Sequence, residues 1–114
     1  MVYIKDFYGS IIYKIENNTI KDFYGVIKYK FEGNRVKDFH GRVQYLIDGK
    51  YIKDFYNRIV LIVENGSVKE FAGMIISRFD SEIIKDFYGT IMYKIEGSLS
   101  SSEMMALIAI LYAR

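Results

Sequence analysis

A unit of 16 residues recurs six times in this chain without insertion or deletion, at 4–19, 20–35, 36–51, 52–67, 68–83 and 84–99. The first copy reads IKDFYGSIIYKIENNT. Such a chain builds one local structure six times, and each copy meets its neighbours in the same way. The copies fill most of the 114 residues, so residues 1–114 read as a single domain. They also leave little sequence unique enough to form an active site.

Within a copy the pattern is that of a strand with one dry face. In the second copy Ile27, Tyr29 and Phe31 alternate with Lys28, Lys30 and Glu32. Two turn signals bound that strand. Gly33-Asn34, matched by Asn17-Asn18, Gly49-Lys50 and Asn65-Gly66, supplies residues that tolerate positive φ in a two-residue hairpin loop. Such a loop places Glu32 opposite Arg35 and Phe31 opposite Val36, a charge pair and an apolar pair. The second signal is Asp-Phe-Tyr-Gly, with an acceptor at its start and a residue free to turn left-handed at its end. It fits either a turn with a following bulge or a two-residue Tyr24-Gly25 loop.

Each copy therefore contributes two strands, giving roughly twelve in an antiparallel meander that coils strongly or closes into a barrel. The alternative is a parallel β-solenoid with one copy per coil. The charge columns separate the two. Lys5, Lys21, Lys37, Lys53, Lys69 and Lys85 hold one repeat position, and Asp6, Asp22, Asp38, Asp54, Glu70 and Asp86 the next. Stacked coils would set these like charges about 4.8 Å apart, whereas a meander puts a strand between them.

A sheet with one apolar face must bury it, and the C-terminal residues 100–113 supply a helix to do so. Ser100 and Glu103 form a capping box, flanked by Leu99 and Met104 as a hydrophobic staple. Met104, Leu107, Ile108 and Leu111 make one stripe, widened by Met105, Ile110 and Tyr112. The expected role is a plug or lid on the apolar face of the sheet. An oligomer contact is the alternative.

Composition excludes several kinds of function. There is no Cys, and the single His40 builds no multi-histidine metal site. The net charge of +2 offers no basic tract, so nucleic acid is an unlikely partner by charge alone. No cofactor motif stands out. The start MVYIKDFYG has no signal-peptide core, and the apolar run Met104–Ala113 is about half a membrane span, so the expectation is a cytoplasmic protein without a transmembrane segment.

Three groups of residues are candidates for function. Phe7, Phe23, Phe39, Phe55, Phe71 and Phe87 recur with Tyr8, Tyr24, Tyr56 and Tyr88, while His40 and Ala72 break the Tyr series. The expected role of these aromatics is to cover the tight turn and pack on the neighbouring hairpin; the alternative is that the Tyr rings stack on sugars. The regular carboxylate columns are read as turn caps and cross-strand ion pairs, because catalysis needs one site made unlike the others. The fourth and fifth copies drift most: Asn57 replaces Gly and Leu61 and Ser77 replace Tyr, while Leu46 and Ile62 replace Lys. Leu46, Val60 and Ile62 then fall on the nominally wet face and mark a candidate interface.

In general look the chain resembles bacterial hairpin-repeat proteins, in which short strands and Gly-containing turns recur at fixed spacing. The KDFYG core at Lys5–Gly9, Lys21–Gly25 and Lys85–Gly89 matches no choline-binding, MORN or WD pattern. The expected function is a structural or protein-interaction module without catalytic activity, with a protein partner or self-association. The alternative is binding of a glycan or cell-wall polymer through the turn tyrosines.

Overall fold

The computed structural model describes residues 1–113. Twelve antiparallel strands follow in order: β1 (Val2–Asp6), β2 (Ile11–Glu16), β3 (Thr19–Lys21), β4 (Ile27–Glu32), β5 (Arg35–Asp38) and β6 (Val43–Asp48) come from the first half. The second half adds β7 (Tyr51–Asp54), β8 (Ile59–Glu64), β9 (Ser67–Glu70), β10 (Ile75–Phe79), β11 (Ile83–Asp86) and β12 (Ile91–Glu96), then α1 (Ser101–Tyr112). Each strand pairs with its sequence neighbours, and β1 pairs with β12, so the meander closes into a barrel. Closure leaves no edge strand for another chain to extend. The molecule is a short, wide ring of 36 × 34 × 20 Å.

The Gly33-Asn34 loop sets the register read from its sequence, with Glu32 opposite Arg35 and Phe31 opposite Val36. Asn17, Asn18, Asn65 and the loop glycines carry the positive φ such loops require. The long strand differs from its sequence pattern. In every copy the ninth residue (Ile12, Lys28, Gln44, Val60, Ile76 or Met92) is an extra residue in the ladder, a β-bulge. Ile27 therefore pairs with Lys21 and stays outside the core, on the opposite face from Tyr29 and Phe31. Six bulges at one level increase twist at the same height around the wall, which is what a closed barrel needs.

The first residue of each copy (Ile4, Ile20, Val36, Ile52, Val68, Ile84) points inward and is at most 1% exposed. The helix completes this core. Ala106 to Ile110 are buried on every side of α1, which fits a helix apolar all round. It runs through the lumen, with Met105 and Ala106 near the two-residue-loop rim beside Phe31 and Ile47, and Leu111 at the other mouth beside Tyr13, Tyr29 and Tyr93. Ser100 accepts from the backbone N–H of Glu103, whose carboxylate accepts from the N–H of Ser100, as the capping box requires.

The helix sits off-centre, closest to β6 and β8. This gives the drifted copies an internal cause. Leu61 is buried in the core. Ser77 is fully buried where most other copies carry Tyr, and it donates to the carbonyl of Lys85 at 2.6 Å. Tyr112 comes in from the helix beside Ser77, at the repeat position where most copies carry a wall tyrosine.

Candidate functional site

The rim opposite the two-residue loops carries the six Asp-Phe-Tyr-Gly turns and their variants. In the first turn the backbone N–H of Gly9 donates to the carbonyl of Asp6, and that of Asp6 to the carbonyl of Ser10. Gly9 has φ +84°, and Asn57 takes the same left-handed region in the fourth copy. This is the turn with a following bulge, not the two-residue loop. The Asp6 carboxylate accepts from the N–H groups of Tyr8 (2.9 Å) and Ser10 (3.0 Å), so Asp organises the loop from its side chain. The same pair of bonds recurs at Asp22, Asp38, Asp54 and Asp86.

Asp and Gly make this turn; Phe and Tyr do not. Both aromatics stand at the tip in solvent, against the expectation that they pack on neighbouring hairpins. The six Phe side chains are 53–73% exposed, and Tyr8, Tyr24, Tyr56 and Tyr88 are 73–87% exposed. Two consecutive residues at a tip both project away from the wall, so neither reaches the core. They meet each other instead: Phe7–Tyr8, Phe23–Tyr24, Phe55–Tyr56 and Phe87–Tyr88 are edge-to-face pairs with centroids 5.2–5.3 Å apart. Lys14 lies over Phe23 and Arg58 over Tyr56, both within cation–π range. His40 rests on Phe39 at 3.8 Å.

Barrel closure orders these platforms. The sixth hairpin lies beside the first, and the first beside the second. Tyr88, Tyr8 and Tyr24 are therefore three successive tips on one arc, with Tyr56 apart from it. Neighbouring tips are two strands apart, about 10 Å at the wall. No sequence pattern reveals this arc, because it exists only after β1 meets β12.

Inside the crown the mouth is largely aromatic and apolar, with Asp22, Lys28, Asp38 and Gln44 as its polar groups. Asp38 faces Tyr29 across the ladder, and Asp6 faces Tyr93. A cavity of about 630 Å³ opens here, with Leu111 in its lining. Asp38 is held below the usual carboxylate pKa, first by the backbone N–H of Arg42; Asp54 is lowered the same way by Arg58. No group of His, Cys, Asp and Glu among the described residues is arranged to hold a metal ion. No described helix is long and apolar enough to cross a membrane.

The three interface candidates separate. Val60 is the bulged residue of its copy and packs against the core. Leu46 and Ile62 are on the outer wall, half-buried, opposite Lys53 and Lys69. Tyr51 faces Ile62 directly and extends that outer apolar cluster. No family model, curated protein or solved structure matches the chain.

Proposed function

We propose that this protein is a non-catalytic binding module and that it takes a glycan or cell-wall polysaccharide at the aromatic rim. The carrying observation is the crown of exposed Phe–Tyr pairs, which the turn does not need and the core does not use. Large exposed apolar side chains repeated at every tip of one rim mark a candidate binding face. Tyr offers a flat apolar ring for a sugar face and a hydroxyl at its edge. The charged groups inside the crown argue for a hydroxyl-rich ligand over a bilayer: a membrane covering the rim would strip water from Asp22, Asp38 and Lys28. The absence of catalysis is supported by the uniformity of the turns and by the direction in which Asp38 and Asp54 are shifted, which is wrong for a general acid.

Co-sedimentation with insoluble cellulose, chitin and peptidoglycan tests the reading. The wild type is expected to be retained by at least one of them. Replacing Tyr8, Tyr24 and Tyr88 together by Ala removes three platforms worth about 1 kcal/mol each, or about a hundredfold in affinity. Retention on phosphatidylcholine vesicles and on none of the polysaccharides overturns the glycan assignment.

The outer cluster of Leu46, Tyr51 and Ile62 supports a second reading, a protein contact or self-association on the barrel wall. Light scattering of the wild type and of Ile62→Lys tests it. A monomer in both rejects self-association there.

A further inference from the structure

The bulged position carries a second signal. In four copies it is apolar, and Ile12, Val60 and Ile76 pack against the core from there. In copies two and three it is Lys28 and Gln44. These two copies are adjacent in the wall, and both side chains line the mouth cavity. Met92 and Lys28 are exposed at this level, so the position tolerates a polar residue; what sets copies two and three apart is that their polar residues are neighbours on one cavity.

Each of the two has a carboxylate beside it. Gln44 donates through Nε2 to Asp38 Oδ2 at 3.2 Å, and Lys28 Nζ lies 3.9 Å from Asp22 Oδ2. The other oxygen of each carboxylate is already engaged by its turn. The mouth thus presents two side-by-side donor–acceptor sets, Lys28 with Asp22 and Gln44 with Asp38, the latter also facing the Arg42 guanidinium at 3.6 Å, with Phe39 on the same cavity wall. The cavity lies at the end of the helix, where Leu111 forms its floor and Tyr29 and Tyr93 its inner wall.

We infer that the barrel mouth between copies two and three is a subsite for a single neutral sugar ring, held by Asp22, Lys28, Asp38 and Gln44 through adjacent hydroxyls and faced by Phe39. A vicinal diol both donates and accepts at the spacing of neighbouring hydroxyls, and so matches a carboxylate set beside an ammonium or an amide. Asp22 and Asp38 are matched by Lys28 and by Arg42, whose Nε lies 3.6 Å from Asp38 Oδ2, so the site carries no net charge to favour an anionic sugar over a neutral one. A cavity of about 630 Å³ is of ligand size. This rests on the rim being a glycan surface: the Tyr88–Tyr8–Tyr24 arc borders the same side of the mouth, so a chain lying on the arc can place one residue in the cup.

The experiment uses the full chain and soluble cellohexaose, chitohexaose and mannohexaose, followed by calorimetry and by NMR of the Gln44 side-chain amide. Lys28→Ile with Gln44→Ile copies the residue the first repeat already has at this position, so folding is not at stake. The expected result is a shift of the Gln44 amide with one of the three probes and a loss of about tenfold or more in its affinity in the double variant. Retention of the double variant on the insoluble polymer is expected to persist, because the tyrosine arc is intact. Unchanged affinity in the double variant, or a bound hexaose that leaves the Gln44 amide unmoved, overturns the subsite and leaves the rim reading standing. No wild-type binding to any soluble or insoluble glycan overturns both.

Discussion

At the scale of single residues, the working parts of each copy are the Asp that starts the turn and the left-handed residue that ends it. A Cβ at Gly25 meets no atom within 4 Å, so the cost of Gly25→Ala is conformational alone, at φ +84°. Thermal unfolding of that variant is expected to show a loss of about 1 kcal/mol; Asn57→Gly, at a site that already turns left-handed in the native chain, is expected to be close to neutral. The carboxylates set the acid limit of the fold. Hydrogen bonds from the Arg42 N–H to Asp38, from the Arg58 N–H to Asp54 and from Lys37 to Glu32 lower those three pKa values in the folded protein. A lowered folded value means stability that is fully present above the unfolded carboxylate value of about 4 and lost as pH falls through the folded values. The melting temperature is therefore expected to be flat from neutral pH to about 5 and to fall below about 4, with a shallower fall in Asp38→Asn. A melting temperature that rises on acidification would contradict this. These roles were legible in the sequence, since turn chemistry is local. The exposure of Phe was not, because six identical apolar residues read as core until the tip geometry shows that they cannot reach it.

At the scale of elements, the hairpin register could be read at Gly33-Asn34, because loop length and residue type fix which residues face each other. The bulge could not. In the first copy Ile11 and Ile12 are both apolar, so nothing in the residue types shows which of them leaves the ladder. The charge argument for the meander holds between copies but has a counterpart within the sheet: Lys14 faces Lys21, and Lys30 faces Lys37. A diagonal partner offsets this repulsion where Lys37 meets Glu32 at 2.7 Å. Where Leu46 and Ile62 stand opposite Lys53 and Lys69 the like-charge pair is gone, so their substitution also has a stability account. The seating of the helix is the sharper test. The Tyr112 hydroxyl is buried near Ser77 outside bonding geometry, and burial raises its pKa. Tyr112→Phe removes an unsatisfied buried group and is expected to be neutral or mildly stabilising in thermal unfolding. Ser77→Tyr restores the residue most common at this repeat position and yet is expected to destabilise by about 1–3 kcal/mol, because the added ring competes with Tyr112 for one space. If Ser77→Tyr were tolerated and Tyr112→Phe costly, the seating of the helix by that pocket would be refuted.

At the scale of the whole molecule, copy number and helix are a matched pair. Each repeat read alone is a hairpin and carries no instruction for how many copies close a ring; the count is meaningful only against what fills the lumen. Twelve strands about 4.8 Å apart and tilted about 40° give a backbone ring of radius about 12 Å, and ten strands give about 10 Å. A helix with its side chains has a radius of about 5–6 Å. The twelve-stranded ring leaves about 6 Å for the inward side chains of the wall, such as Ile4, Ile20 and Ile52, and the ten-stranded ring about 4 Å, too little for an isoleucine against a packed helix. Deleting residues 20–35 keeps the sequence in phase, joins Thr19 to Val36 and removes two strands without touching β6 or β8. It is nevertheless expected to expel α1. The buried residues Leu107, Ile108 and Ile110 then lose about 1.5–3 kcal/mol each, which is comparable with the whole stability of a small domain. Hydrogen exchange reads the outcome directly: amides of α1 that are protected in the full chain are expected to exchange freely in the shortened one, with aggregation or association through the opened lumen. A shortened chain that remains monomeric, melts within a few degrees of the parent and protects its helix would show that the wall adapts to its filling, and that the sixth copy is not dictated by the helix. If the helix is lost as expected, the requirement for six copies comes from the packing of the lumen, and the number and spacing of the aromatic tips on the rim follow from it.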